Sequence, residues 1–347
     1  MKKLSLFFLI SILLLPVLTH AECSCDADQE DFKGSRAIPL KLAAMFSILV
    51  AGFLGVCIPT LGKWIPAIRP ENINFFVIKA FAAGVILATG FIHILPDAFE
   101  NLTSPCLNQS PWQDFPFAGF FAMVAAIGTL IIDTVATGYY NRNLNGKVVQ
   151  ELIQADEEDP SQLHVHTHAT HGHAHGIASS APQDGQDLLR RRVISQVLEM
   201  GIVVHSVIIG ISLGASDSPS TIKPLVIALS FHQCFEGMGL GGCLVQAQFK
   251  IREMITMIIF FSLTLPAGIA IGIGISSVYN ENSPTALIVE GILNSGAAGI
   301  LIYMALVDLL AADFMNPMVQ KNVCVQIKIN ISLLVGAGFM SLLAKWA

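Results

Sequence analysis

Residues 193–215 read VISQVLEMGIVVHSVIIGISLGA, and residues 222–246 read IKPLVIALSFHQCFEGMGLGGCLVQ. Each run is long and apolar enough to cross a bilayer core, which takes roughly 20 helical residues. Neither alternates with the period of a strand, so neither fits a β-barrel. Six further stretches read the same way, at 40–62, 73–95, 115–139, 253–278, 285–311 and 326–344. Around them the whole 347-residue chain is 53% hydrophobic and only 13% charged, with a mean hydropathy of +0.65. Soluble domains carry about 25% charged residues, so the solvent implied here is lipid. The net charge of −6 and the lack of any basic stripe exclude a nucleic-acid partner.

Charge position sets the expected orientation. With the mature N-terminus outside, the inner loops hold eleven Lys and Arg and the outer segments five, leaving Lys79 at a span edge uncounted. Both termini are therefore expected to be extracellular. Lys2 and Lys3, the apolar run Leu4 to Leu15 and the triplet Thr19-His20-Ala21 have the form of a signal peptide over 1–21. That leaves an extracellular segment 22–39, spans 1–3 within 40–140, a cytosolic loop 141–189 and spans 4–8 within 190–347. Cys23, Cys25 and Cys106 fall outside the cytosol, where a disulfide can form, and the sequons at Asn101 and Asn108 are compatible with the same topology.

The loop 141–189 is a different kind of sequence. An acidic run, Asp156 to Asp159, is followed by His164, His166, His168, His171, His173 and His175. With Pro160 and Pro182 and no apolar face, it is expected to be disordered. Imidazole ligates zinc, iron, copper and nickel, so several rings on a flexible chain can gather one ion.

Three more histidines lie inside spans: His93, His205 and His232. Ionisable groups in hydrocarbon are costly and usually functional. His93 with Asp97, and His232 with Glu236, are spaced i, i+4, which puts imidazole and carboxylate on one helix face. Those are ligands for Zn²⁺ and related ions. His205, Gly210, Leu213 and Gly214 recur as His232, Gly237, Leu240 and Gly241 at a constant offset of 27. A shared motif on consecutive, antiparallel spans points to one site at a pseudo-symmetric interface. Asp133 in span 3 and Asp308 in span 7 are candidate relay positions on the inner half of a path; Glu199 and Glu290 fit interface positions as well as interior ones. The expected function is passage of a divalent metal ion from Asp97 and His93 through His205, His232 and Glu236 toward Asp308 and the histidine loop, with uptake depending on pH because protons compete for imidazole.

Two other classes stay open on residues alone. Gly210-Ile-Ser212-Leu-Gly214 formally matches the hydrolase G-x-S-x-G, which needs a strand-to-helix turn. A metal-sensing receptor could hold an ion without moving it. A zinc metalloprotease is excluded, since H-E-x-x-H does not occur.

These motifs together resemble the ZIP family of zinc- and iron-regulated transporters, in its plant iron-regulated and zinc-transporter branch. The resemblance rests on eight spans, the histidine loop, His205-Ser206 with Gly210, His232-Gln233 with Glu236-Gly237, the run Gly90-Phe-Ile-His93-Ile-Leu-Pro-Asp97 and the closing Ala344-Lys-Trp-Ala347. It implies an all-α membrane protein with eight transmembrane helices in a bundle, the first and last three forming an inverted repeat. It implies that His205, His232 and Glu236 hold the ion with Ser206 and Gln233 adjacent, that His93 and Asp97 serve the outer entrance, and that Asp133 bears on metal choice. The implied cargo is Zn²⁺ or Fe²⁺, with Mn²⁺ and Cd²⁺ suited by the same ligands. No cofactor is implied. The expected partners are the ions and the lipid bilayer, with a homodimer compatible, and the expected location is the plasma membrane. One departure stands out: members with a two-metal centre carry a carboxylate four residues after the span-4 histidine, where this chain has Ile209. A single dominant site is therefore expected.

Overall fold

The computed structural model describes residues 37–61, 72–158, 181–216, 219–277, 279–280, 282–311 and 314–345. The expected signal peptide and the six clustered histidines, His164 to His175, lie outside the described residues. Eight long helices follow in order: α1 (Ala37–Thr60), α2 (Ile73–Leu102), α3 (Phe117–Glu158), α4 (Ala181–Ala215), α5 (Pro219–Gln246), α6 (Ile251–Ile275), α7 (Pro284–Ala311) and α8 (Val323–Leu343). No strand occurs among the described residues. Seven of the eight are long and apolar enough to cross a membrane. The eighth, α5, is 28 residues long but less apolar, because His232, Gln233 and Glu236 sit near its middle.

The loop expected over 141–189 is shorter than the composition suggested. Helix α3 runs on to Glu158 and α4 already begins at Ala181. Residues 141–158 contain Leu, Val, Gln, Glu and Ala, which are good or neutral helix formers, and no proline before Pro160. Low hydropathy there excludes a span but does not exclude a helix.

Local chemistry sets several helix ends. The Asn72 side chain accepts a hydrogen bond from the Asn74 amide at the start of α2. Ser283 caps α7 through the Ala286 amide, with Pro284 in the first turn, and Asn322 caps α8 through the amides of Cys324 and Val325. The second expected outer segment holds Cys106, which is disulfide-bonded.

The bundle has an inner and an outer set of helices. In their most apolar stretches α2, α4 and α7 bury 67%, 61% and 61% of residues, whereas α3 and α8 bury 22% each and turn the rest outward. Phe46 and Phe53 on α1, Ile131 and Val135 on α3 and Leu334 on α8 are exposed, as lipid-facing residues must be. The principal pairings are α1 on α5, α4 on α6, α2 on α8 and α3 on α7. Exchanging α1 with α6, α2 with α7, α3 with α8 and α4 with α5 converts these pairings into one another. Each exchange swaps helices that run in opposite directions when the spans follow one another, so the relation is an inverted repeat.

The motif repeated in α4 and α5 has matching contacts. A Cβ on Gly214 would stand 2.2 Å from the Ile269 carbonyl oxygen of α6, and one on Gly241 would stand 2.4 Å from the Val56 carbonyl oxygen of α1. These glycines let backbones approach where no side chain fits. A second repeat joins α2 and α7: Gly84, Thr89, His93 and Phe99 line up with Gly299, Met304, Asp308 and Phe314 at one constant offset. Both helices turn into π-helix at equivalent points, Thr89–Ile94 and Met304–Ala311. The pseudo-symmetry thus places His93 and Asp308 at corresponding positions.

Gly214→Ala forces a methyl group into backbone, and overpacking of this kind costs about 1–3 kcal/mol. It is expected to lower the melting temperature of the detergent-purified protein. Gly274→Ala, with nothing within 4 Å, is expected to leave it unchanged. Equal melting temperatures for both variants and the parent would contradict the packing.

Candidate functional site

The polar interior forms where α2, α4, α5 and α7 face one another. Pro96 lacks an amide hydrogen, and just before it the α2 ladder shifts register: the Leu95 amide bonds the Gly90 carbonyl. The wider π turn carries His93 into the bundle, a common use of such turns at functional sites. His205 comes from the middle of α4, and His232 and Glu236 from successive turns of α5.

The three imidazoles touch. Ring centroids are 5.2 Å apart for His93 and His205, 5.6 Å for His93 and His232, and 5.5 Å for His205 and His232. All three are buried, as are Ser206, Gln233 and Glu236. His232 Nε2 lies 3.2 Å from Glu236 Oε1, out of line for a hydrogen bond. Both ring nitrogens of His205 and of His232, His93 Nε2 and both oxygens of Glu236 have no hydrogen-bond partner. Asn294 of α7 lies beside His205 and also has an unpartnered Oδ1. Each buried, unsatisfied group of this kind costs about 1–3 kcal/mol, so a cluster of them calls for a polar occupant.

Imidazoles and a carboxylate without internal partners suit a divalent ion of the zinc and iron kind. Yet among the described residues no three His, Cys, Asp or Glu side chains are already arranged to hold one ion. His93 meets the other two rings edge to face, His205 and His232 are tilted at 59°, and zinc–nitrogen bonds of about 2.0–2.1 Å require their nitrogens to converge. Binding must therefore turn the rings.

The remaining expected residues divide into three groups. Asp97 is half-buried on α2, past Pro96 and toward the end of the helix. Gln233 adjoins the cluster in sequence but is held elsewhere: its Nε2 donates to the Phe261 carbonyl of α6 at 3.5 Å, and its stem packs against Gly52 of α1. Asp133 and Asp308 meet at a second place, joined by a residue that sequence reasoning had counted only as a loop charge. Arg190 Nη2 donates to Asp308 Oδ1 at 2.9 Å, and its Nε donates to Asp133 Oδ1 at 3.4 Å. Nothing in the run Arg190-Arg191-Arg192 marked the first as interior. Asn294 was missed too, since a lone Asn in an apolar span carries no spacing signal.

Ile209, one turn beyond His205, packs into an apolar cluster with Ile48, Leu229 and Leu265. Hydrocarbon fills the place where a second carboxylate would stand. The G-x-S-x-G match is helix packing: a Cβ on Gly210 would stand 2.7 Å from the Leu265 carbonyl oxygen, and no strand precedes it.

A family model described as ZIP Zinc transporter matches residues 38–344. The chain belongs to the ZIP family. Its relatives include Zinc transporter 8 of Oryza sativa subsp. japonica, 62% identical across 90% of this chain and 89% of that protein. Zinc transporter 3 of Arabidopsis thaliana is 51% identical across 100% of this chain and 98% of its own length. Fe(2+) transport protein 1 of Oryza sativa subsp. japonica is 50% identical across 96% and 93%. ZIP proteins are transporters, so the hydrolase alternative falls on family as well as on geometry.

An ion bound only to the folded ZIP bundle stabilises it by mass action, about 2.7 kcal/mol at a hundredfold excess over the dissociation constant. Added Zn²⁺ is expected to raise the melting temperature of the purified protein, and His205→Ala or His232→Ala to abolish most of that rise. A zinc-induced rise of parental size in both variants would show that the ion binds elsewhere.

Proposed function

We propose that this ZIP protein moves Zn²⁺ and Fe²⁺ across the plasma membrane into the cytosol, using His205, His232 and Glu236 as its central ligands. The observation that carries this reading is the contact of three buried imidazoles from three helices, five of whose ring nitrogens make no hydrogen bond, beside the Glu236 carboxylate, whose oxygens make none either. The names of the relatives, which divide between zinc and Fe(2+), support both cargoes.

The ion enters on Asp97 and His93, exchanging water for oxygen and nitrogen ligands. It passes to His205, His232 and Glu236, where Glu236 offsets part of the divalent charge in a low-dielectric interior. It leaves past Asp308 and Asp133 toward the histidine-rich segment, whose imidazoles collect it on the cytosolic side. The edge-to-face rings favour this transit, because a sphere that forms only on ring rotation binds less tightly than a preformed one and so releases its ion. The charge asymmetry of the loops and the disulfide at Cys106 both support extracellular placement of the 103–116 connection.

Radiolabelled zinc and iron uptake in cells lacking their own high-affinity import tests the reading. Glu236→Gln and His205→Ala are expected to reduce uptake to background while the protein still reaches the surface. Uptake at the parental rate in either variant refutes the site. A protein that binds the ion yet shows no uptake in any form would be a receptor instead.

A further inference from the structure

The second polar cluster lies well away from the imidazoles. Fifteen residues separate Arg190 from His205 on α4, and fourteen separate Asp308 from Asn294 on α7. At 1.5 Å per residue both spacings come to about 20 Å along the bundle. Two helices thus place the Asp133–Arg190–Asp308 cluster at the same depth, at the α4 end that adjoins the 141–189 connection. The side chains of Asp308 and Asp133 are only 1% and 14% exposed, while that of Arg190 is 35% exposed. Asp308 Oδ2 is buried and has no partner. Thr129, Val193, Val197 and Met304 wall a narrow cleft over the two acids.

We propose that Arg190 is a tethered cation that occupies the inner carboxylate pair between transport events, is displaced by the arriving metal ion, and expels that ion on its return. This rests on the transport reading above. Charge balance carries the argument. Two carboxylates and one divalent ion sum to zero, whereas the same pair holding both ion and guanidinium carries an uncompensated positive charge. With neither, two negative charges stand in a buried place with the buried Lys79 of α2 as a single offsetting charge, which is unfavourable. Ion and guanidinium compete for the same carboxylate oxygens, and alternating between them holds the pair at a net charge of zero or −1 and never at −2. Arg suits the task because it keeps its charge at any working pH and bonds two carboxylates at once through its planar fork. Its partial exposure, where the apolar part of α4 begins, offers a route into water that neither acid has.

Equilibrium binding of radiolabelled zinc to the purified full-length protein tests this without requiring transport. Arg190→Gln is expected to bind zinc about tenfold more tightly than the parent, the low end of measured couplings between close charges. Arg190→Lys, which keeps the charge but loses the fork, is expected to lie between them and carries the test should the Gln variant not fold. Adding Asp308→Asn to Arg190→Gln is expected to abolish the gain. In proteoliposomes, Arg190→Gln is expected to lower the maximal rate severalfold without raising KM, because release slows. Zinc affinity equal to the parent's in both Arg190 variants overturns the proposal, as does a gain that survives Asp308→Asn. Absence of uptake by the parent itself would instead defeat the transport reading and leave the binding comparison intact.

Discussion

Polar side chains inside a bilayer have no water to turn to, and this molecule places two groups of them at different depths. The cost is contained by geometry. Glycines at the α1–α5 and α4–α6 crossings bring backbones into contact, so an apolar jacket closes around a polar interior. Every backbone amide within a span must find its partner in the same helix or its immediate surroundings. The π turns of α2 and α7 meet that demand with wider turns in a shifted register, and those are where His93 and Asp308 enter the interior.

The two clusters solve the same electrostatic problem differently. At the centre, three imidazoles touch without converging, and five of their nitrogens and both Glu236 oxygens make no hydrogen bond, which is the arrangement the proposed ion site rests on. Further in, Asp133 and Asp308 are bridged through one oxygen each by Arg190, a cation belonging to the chain itself. A histidine stands at the pseudo-symmetric position of one of those acids. The inverted repeat has therefore kept its packing glycines while its interior polar residues diverged, imidazole on α2 and carboxylate on α7.

The divergence extends to α4 and α5. Their shared His-Gly-Leu-Gly pattern packs both helices alike, yet α5 carries Glu236 where α4 carries Ile209. On α5 the acid faces the imidazoles, and on α4 the isoleucine joins the apolar cluster of α1, α5 and α6. Pseudo-symmetry of the backbone thus coexists with an asymmetric set of interior side chains.

The sequence by itself determined the all-helical membrane architecture, the eight long helical segments, seven of them apolar enough to cross a membrane, and the identity of the buried histidines. Hydrocarbon imposes a length and a composition that read directly off the chain, and an imidazole amid twenty apolar residues is conspicuous without any coordinates. Helix ends proved less legible: the extension of α3 to Glu158 and the start of α4 at Ala181 follow from helix propensity in polar sequence, which hydropathy does not register. Only the tertiary structure decided which polar groups share a chamber. Gln233 turned to α6 although it neighbours His232, the π turns rotated His93 and Asp308 inward, and Arg190 left an apparent loop triplet to join acids from α3 and α7. Linear spacing specifies the face of one helix, whereas a meeting of three or four helices depends on rotations and depths set by packing across the whole bundle.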